Sequence, residues 1–77
     1  MTLNDETLDV RGMLCPLPVL KARKRLQSMA SGAILRIEAT DPAAIIDIPH
    51  FCAESGNSLL NQEEAEGVYI FTVQKAG

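Results

Sequence analysis

Two prolines separated by a single residue, Pro16 and Pro18, constrain this chain more than any other feature, because neither fits a central strand or a helix interior. Both suit the first turn of a helix, where backbone N–H groups have no intrahelical partner and a fixed φ costs nothing. A helix therefore begins there. Before it, residues 7–10 alternate polar Thr7 and Asp9 with apolar Leu8 and Val10, the pattern of a short strand. After it, Val19, Ala22, Leu26, Met29 and Ala30 recur at helical spacing from residue 16 to about residue 30, and Ser31-Gly32 ends the run. The chain must pass from strand to helix through residues 11–14. Cys15 then falls just past the strand's carboxyl end, at or beside the helix N-cap.

The remaining segments extend this βα start. Residues 33–40 place Leu35, Ile37 and Ala39 on one face and Arg36, Glu38 and Thr40 on the other, as a half-buried strand does. Asp41-Pro42 predicts a short turn, and Pro49 predicts a second helix that starts late, with Asp47 as its cap and Ile48, Phe51, Cys52 and Ser55 on one side. Gly56-Asn57 stops it. Residues 59–63 and 68–73 form the last two strands, joined by a turn at residues 64–67 and antiparallel. The order βαβαββ, with a right-handed crossover between the first two strands, gives an α/β two-layer sandwich: a four-stranded mixed sheet with two helices on one face. Polar side chains such as Arg36, Glu38, Gln62 and Thr72 are expected to line the uncovered face.

Chemistry concentrates at Cys15. A thiolate at a helix N-terminus is stabilised by free N–H groups and the positive end of the helix dipole, and neighbouring cations act in the same direction. Arg11, Lys21, Arg23, Lys24 and Arg25 are five of the seven basic residues, and no acid occurs between Arg11 and Arg36. The neighbourhood is therefore expected to be electropositive, with Arg11 and Lys21 within about a helical turn of the thiol. Gly12 permits positive φ in the turn, and Asp9 can accept N–H bonds from it. Leu17 projects away from the buried stripe and offers an exposed apolar contact for a partner.

Size sets the style of that chemistry. At 77 residues the chain is read as one domain, with residues 1–6 a flexible lead-in. Such a domain buries only about 60% of its unfolded surface, so chemistry at the surface, completed by a partner protein, is expected. Two cysteines are too few for a disulfide scaffold, no apolar run is long enough to span a membrane, and a cytoplasmic, reducing location would keep Cys15 a thiol. A net charge of −3 argues against nucleic acid as a direct partner. Cys15, Cys52 and His50 cannot assemble a closed four-ligand zinc site, so neither metal nor cofactor is expected.

The run Leu8-Asp9-Val10-Arg11-Gly12-Met13-Leu14-Cys15-Pro16-Leu17-Pro18, with Asp41-Pro42 and Asp47-Ile48-Pro49-His50-Phe51-Cys52 further on, resembles the TusA/SirA-type sulfur-carrier family. The likeness covers residues 7–75 and includes the family's Cys-Pro-x-Pro signature in register with an Asp-x-x-Gly segment. It implies the two-layer sandwich, and it implies a sulfurtransferase whose motif cysteine, Cys15, carries sulfane sulfur as a persulfide. A pyridoxal-phosphate cysteine desulfurase is the implied donor. The implied acceptors are proteins of a relay ending in tRNA 2-thiouridine, of sulfur oxidation or of molybdenum-cofactor assembly. Asp9, Arg11, Gly12, Pro16, Leu17, Pro18 and Lys21 are the supporting motif and docking residues, and a monomer is expected.

Other residues read as structural. Cys52, on an apolar helical face beside Phe51, is expected to be a buried thiol, and Asp41 and Asp47 are expected to be helix caps. His50, on the second helix, leaves Cys15 without an acid or base helper. Two competing functions remain: an interaction module in which Cys15 merely packs, and a thiol redox sensor in which Cys15 and Cys52 meet.

Overall fold

The computed structural model describes residues 5–77. Its elements are β1 (Glu6–Val10), α1 (Leu17–Gln27), β2 (Ile34–Ala39), α2 (Ala44–Ser55), β3 (Ser58–Ala65) and β4 (Val68–Gln74). The strands form one sheet in the order β1-β2-β4-β3, with β1 parallel to β2 and the other pairs antiparallel. This is the two-layer α/β sandwich that the prolines and periodicities predict.

Period-two alternation turns Leu8 and Val10 of β1, Leu35, Ile37 and Ala39 of β2, and Phe71 and Val73 of β4 toward the helices. Ala22 and Leu26 of α1 and Ile48, Phe51 and Cys52 of α2 close over them to complete one core. No polar or charged residue is buried among the described residues, so apolar burial and the sheet ladders supply the cohesion.

Four local features differ from expectation. Helix α1 ends at Gln27 rather than near residue 30, because the N–H groups of Ser28 and Met29 bond back three residues to Arg25 and Leu26 and tighten the last turn. Met29 is still buried, but Ala30 is exposed, and Pro18 joins the buried side instead. Helix α2 starts at Ala44 and carries Pro49 inside it. Asp41 sets that early start: its carboxylate accepts the Ala43 N–H at 3.1 Å and its carbonyl the Ala44 N–H at 2.9 Å. Pro49 is tolerated because the carbonyl it leaves without a helical donor belongs to the exposed Ile45.

The third difference lies in β3. A register shift between Leu59 and Asn61 puts Asn61 opposite Thr72 and Gln62 opposite Phe71, so Gln62 sits on the helix side and Asn61 takes its place on the open face. Strict alternation from Leu59 cannot reveal such a bulge. The fourth concerns the lead-in: residues 1–4 lie outside the described residues, but Asp5 and Glu6 belong to the fold. The Asp5 carboxylate accepts the Ile34 N–H at 3.0 Å, and Glu6 pairs with Arg25 at 2.9 Å.

Two bonds tie the β1–α1 and β2–α2 loops together at one end of the sheet. The Gly12 N–H donates to Thr40 Oγ1 at 2.8 Å, and the Cys15 N–H donates to Asp41 Oδ2 at 2.7 Å. Gly12 has φ +79°, and a Cβ built there meets no atom within 4 Å, so backbone strain alone opposes a side chain. Gly12→Ala is expected to cost about 1–2 kcal/mol, read as a lower urea midpoint at unchanged slope.

Candidate functional site

Cys15 is exposed at this junction and opens on a groove of about 380 Å³ between α1 and α2. Its backbone is held by the bond to Asp41, while Pro16 serves as the N-cap of α1 and the peptide bond between Cys15 and Pro16 is cis. Leu14 and Leu17 flank the cysteine with exposures of 69% and 46%, and Ile46, next to Asp47, is 74% exposed. The thiol therefore stands in a partly apolar surface open to a partner, as a small domain without a deep cavity requires.

The charges around the thiol reverse the expectation from sequence. Asp47 lines the groove with Cys15; the interaction of the thiol with the Asp47 carboxylate, then partial desolvation, then the negative charges of Asp47 and Asp41 push the thiol above its ordinary range. The basic residues nearest in sequence are turned elsewhere. Arg11 is clamped by Asp9, its Nε 2.9 Å from Oδ1 and its Nη2 3.0 Å from Oδ2. Lys21 faces a separate recess with Asp9, Met13 and Lys24. The helix terminus is also poor in donors, since Pro16 and Pro18 carry no N–H and the Leu17 N–H is taken by the Leu14 carbonyl at 2.9 Å. Prolines that fix a helix start also strip it of the groups that would hold an anion.

Asp9 shapes the turn and is shaped by it. Its Oδ1 also accepts the Arg11 N–H at 3.0 Å, and these bonds, with the Arg11 charge, lower its carboxyl from 3.8 to about 2. Because the folded value is depressed, the Asp9 contribution is present above the ordinary carboxylate range and is lost as pH falls from about 3.8 toward about 2. A carboxyl NMR titration of Asp9 is expected to give a midpoint near 2, and Arg11→Ala to return it toward 3.8.

Sequence reasoning missed the α2 wall of the site. Asp47, His50 and Glu54 line the groove with Cys15, and His50 Nε2 lies 2.7 Å from Glu54 Oε1. From α1, Arg23 reaches over the Phe51 ring, 5.7 Å from its centroid. The signal was the spacing 47, 50, 54, which is one helical face once the helix starts at Ala44. Reading Asp47 as a cap hid it and removed His50 from the thiol's surroundings. Cys52 is 3% exposed within the core, where burial pushes its thiol up.

Known proteins resemble this chain over nearly its whole length. The family model described as sulfurtransferase TusA matches residues 6–75. The sulfur carrier protein TusA of Pseudomonas entomophila is 41% identical over 73 residues, covering 95% of this chain and 91% of that protein. The sulfur carrier protein TusA of Allochromatium vinosum is 40% identical over 72 residues, covering 94% of this chain and 95% of its own. The crystal structure of a SirA-like protein from Desulfitobacterium hafniense superposes with a TM-score of 0.81 over 94% of this chain and 99% of that one; at 22% identity this shows a shared fold. With its strand-to-helix cysteine motif, its βαβαββ sandwich and these relatives, the chain belongs to the TusA sulfurtransferase family of sulfur carriers.

Proposed function

We propose that Cys15 is the sulfur-bearing residue of a single carrier domain, taking sulfane sulfur from a donor protein and passing it to an acceptor cysteine. The observation that carries this reading is the contrast between the two thiols: Cys15 is exposed on an open groove in the Cys-Pro-Leu-Pro motif, whereas Cys52 is sealed in the core. Cys15 Sγ attacks the outer sulfur of a donor persulfide, a new S–S bond forms, the donor's S–S bond breaks, and the donor cysteine leaves as thiolate. The Cys15 persulfide is attacked in turn at its outer sulfur by the acceptor's thiolate, and Cys15 is regenerated.

A pyridoxal-phosphate cysteine desulfurase is the proposed donor, and a relay protein toward tRNA thiolation the proposed acceptor. Asp9, Gly12, Pro16 and Pro18 hold the loop, and Leu17, with Leu14, supplies apolar contact to either partner. The redox-sensor alternative requires Cys52 to leave the core, at the cost of buried apolar packing. The test is incubation with a competent cysteine desulfurase and cysteine, followed by intact-protein mass spectrometry. The expected result is a gain of one sulfur that disappears on reduction; an unchanged mass overturns the proposal.

A further inference from the structure

We propose that the groove between α1 and α2 binds a free amino-acid persulfide of the cysteine persulfide type, its carboxylate on Arg23 and its ammonium on Asp47, so that Cys15 takes sulfur from a small donor as well as from a protein. This rests on the reading of Cys15 as the sulfur-bearing residue and adds a substrate class to that site.

Two facing helix stripes build the groove. Pro16, Val19 and Arg23 follow one another at spacings of three and four along α1, and Asp47, His50 and Glu54 do the same along α2. Both helices start at the Cys15 end, so the thiol and Asp47 lie at that end and Arg23 lies further along. From residue 16 to residue 23 α1 rises about 10 Å, and helical side chains lean back toward the N-terminus, which brings the guanidinium toward the thiol. Val19 and Phe51 give the groove an apolar lining, with the Arg23 guanidinium 5.7 Å from the Phe51 ring centroid.

The charges select the occupant. Among the described residues no ion pair engages Arg23 or Asp47, whereas His50 and Glu54 bind each other at 2.7 Å. One uncommitted cation and one uncommitted anion therefore line a groove with a nucleophilic sulfur at its end. An amino-acid head group carries the complementary pair; a cysteine inside a protein chain, with both groups tied up as amides, does not. At about 380 Å³ the groove is near the lower end of the roughly 300–1,000 Å³ of small-ligand sites. Extended cysteine persulfide reaches about 6 Å from its outer sulfur to its carboxylate, and an attack distance of about 3.5 Å brings the total close to the rise of α1.

The ammonium also supplies the cation that the thiol lacks. Asp47 and Asp41 set negative charge around Cys15, which disfavours the thiolate, and an ammonium seated on Asp47 offsets that charge as the donor arrives. Cys15 Sγ then attacks the outer sulfur, an S–S bond forms at Cys15 and the donor's S–S bond breaks. Cys15–SH plus R–S–SH gives Cys15–S–SH plus R–SH, where R–SH is free cysteine carrying the proton that left Cys15.

The test follows Cys15 loading by intact mass against the concentration of two donors, cysteine persulfide and the persulfide of N-acetylcysteine amide, in which both charges are blocked. Wild type is compared with Arg23→Gln, and each rate is divided by that donor's rate with a free thiol to remove intrinsic reactivity. Cysteine persulfide is expected to load wild type at a saturating rate, about tenfold faster than the blocked donor at low concentration, and Arg23→Gln to narrow that gap about fivefold. Buried Cys52, staying unmodified, reports that the fold is intact. Equal, unsaturated rates from the two donors overturn the proposal, as does a gap that Arg23→Gln leaves unchanged. Loading of the same protein by a desulfurase keeps these failures distinct from failure of the carrier reading, which would show as an unchanged mass with the desulfurase too.

Discussion

Cys15→Ser is expected to abolish sulfur loading by a desulfurase completely while leaving the fold in place. A serine hydroxyl cannot form the S–S bond that holds the cargo, and no neighbouring group can replace it, since Cys52 lies in the core. The fold should survive because the structural contact at this position is the backbone N–H to Asp41, which serine retains, and because the side chain is exposed. Its unfolding free energy is expected to stay within about 0.5 kcal/mol of wild type. Cys52→Ser should show the opposite profile: full loading, with stability lower by about 1–3 kcal/mol because a hydroxyl is buried among apolar side chains. Loading that persists in Cys15→Ser, or that fails only in Cys52→Ser, would remove Cys15 from the mechanism.

The largest effect on stability is expected at Phe71. It is fully buried in the central strand β4, opposite Ile37 of β2 on one side and Gln62 of β3 on the other, and it is among the largest fully buried side chains of the described residues. Truncation to alanine leaves a cavity that the rigid sheet cannot close, costing about 3–5 kcal/mol. A domain of this length has about 4–12 kcal/mol in total at roughly 0.05–0.15 kcal/mol per residue. Phe71→Ala should therefore lose a large share of its stability, read as a collapsed urea midpoint, and sulfur loading should fail through unfolding rather than through chemistry. A loss below about 1 kcal/mol would contradict the assignment of Phe71 to the centre of the core.

The fold was legible in this sequence because its signals are local and mutually consistent. Pro16 and Pro18 locate one helix start, the alternation at 35, 37 and 39 gives a strand face, and Gly56 in a left-handed conformation ends α2 where expected. Three features depended on tertiary context instead. The bulge beside Leu60 has no compositional mark, and it moves Gln62 across the sheet. The early start of α2 follows from bonds accepted by Asp41, which override the usual preference of proline for a first turn. The electrostatics of the thiol followed neither sequence distance nor net charge: Arg11, four residues away, is neutralised by Asp9, while Asp47, distant in sequence, lines the same groove. Sequence identifies the cysteine through the backbone it must adopt, but what faces that cysteine is decided by how the second helix packs.

The most direct test of the carrier account is to load the protein with radiolabelled sulfur from a desulfurase, map the label by peptide, and then add a thiol acceptor. The account predicts label on the peptide that contains Cys15, released intact to the acceptor with Cys15 returned to a thiol. Label on the peptide containing Cys52, or label on Cys15 that no acceptor removes, would contradict it.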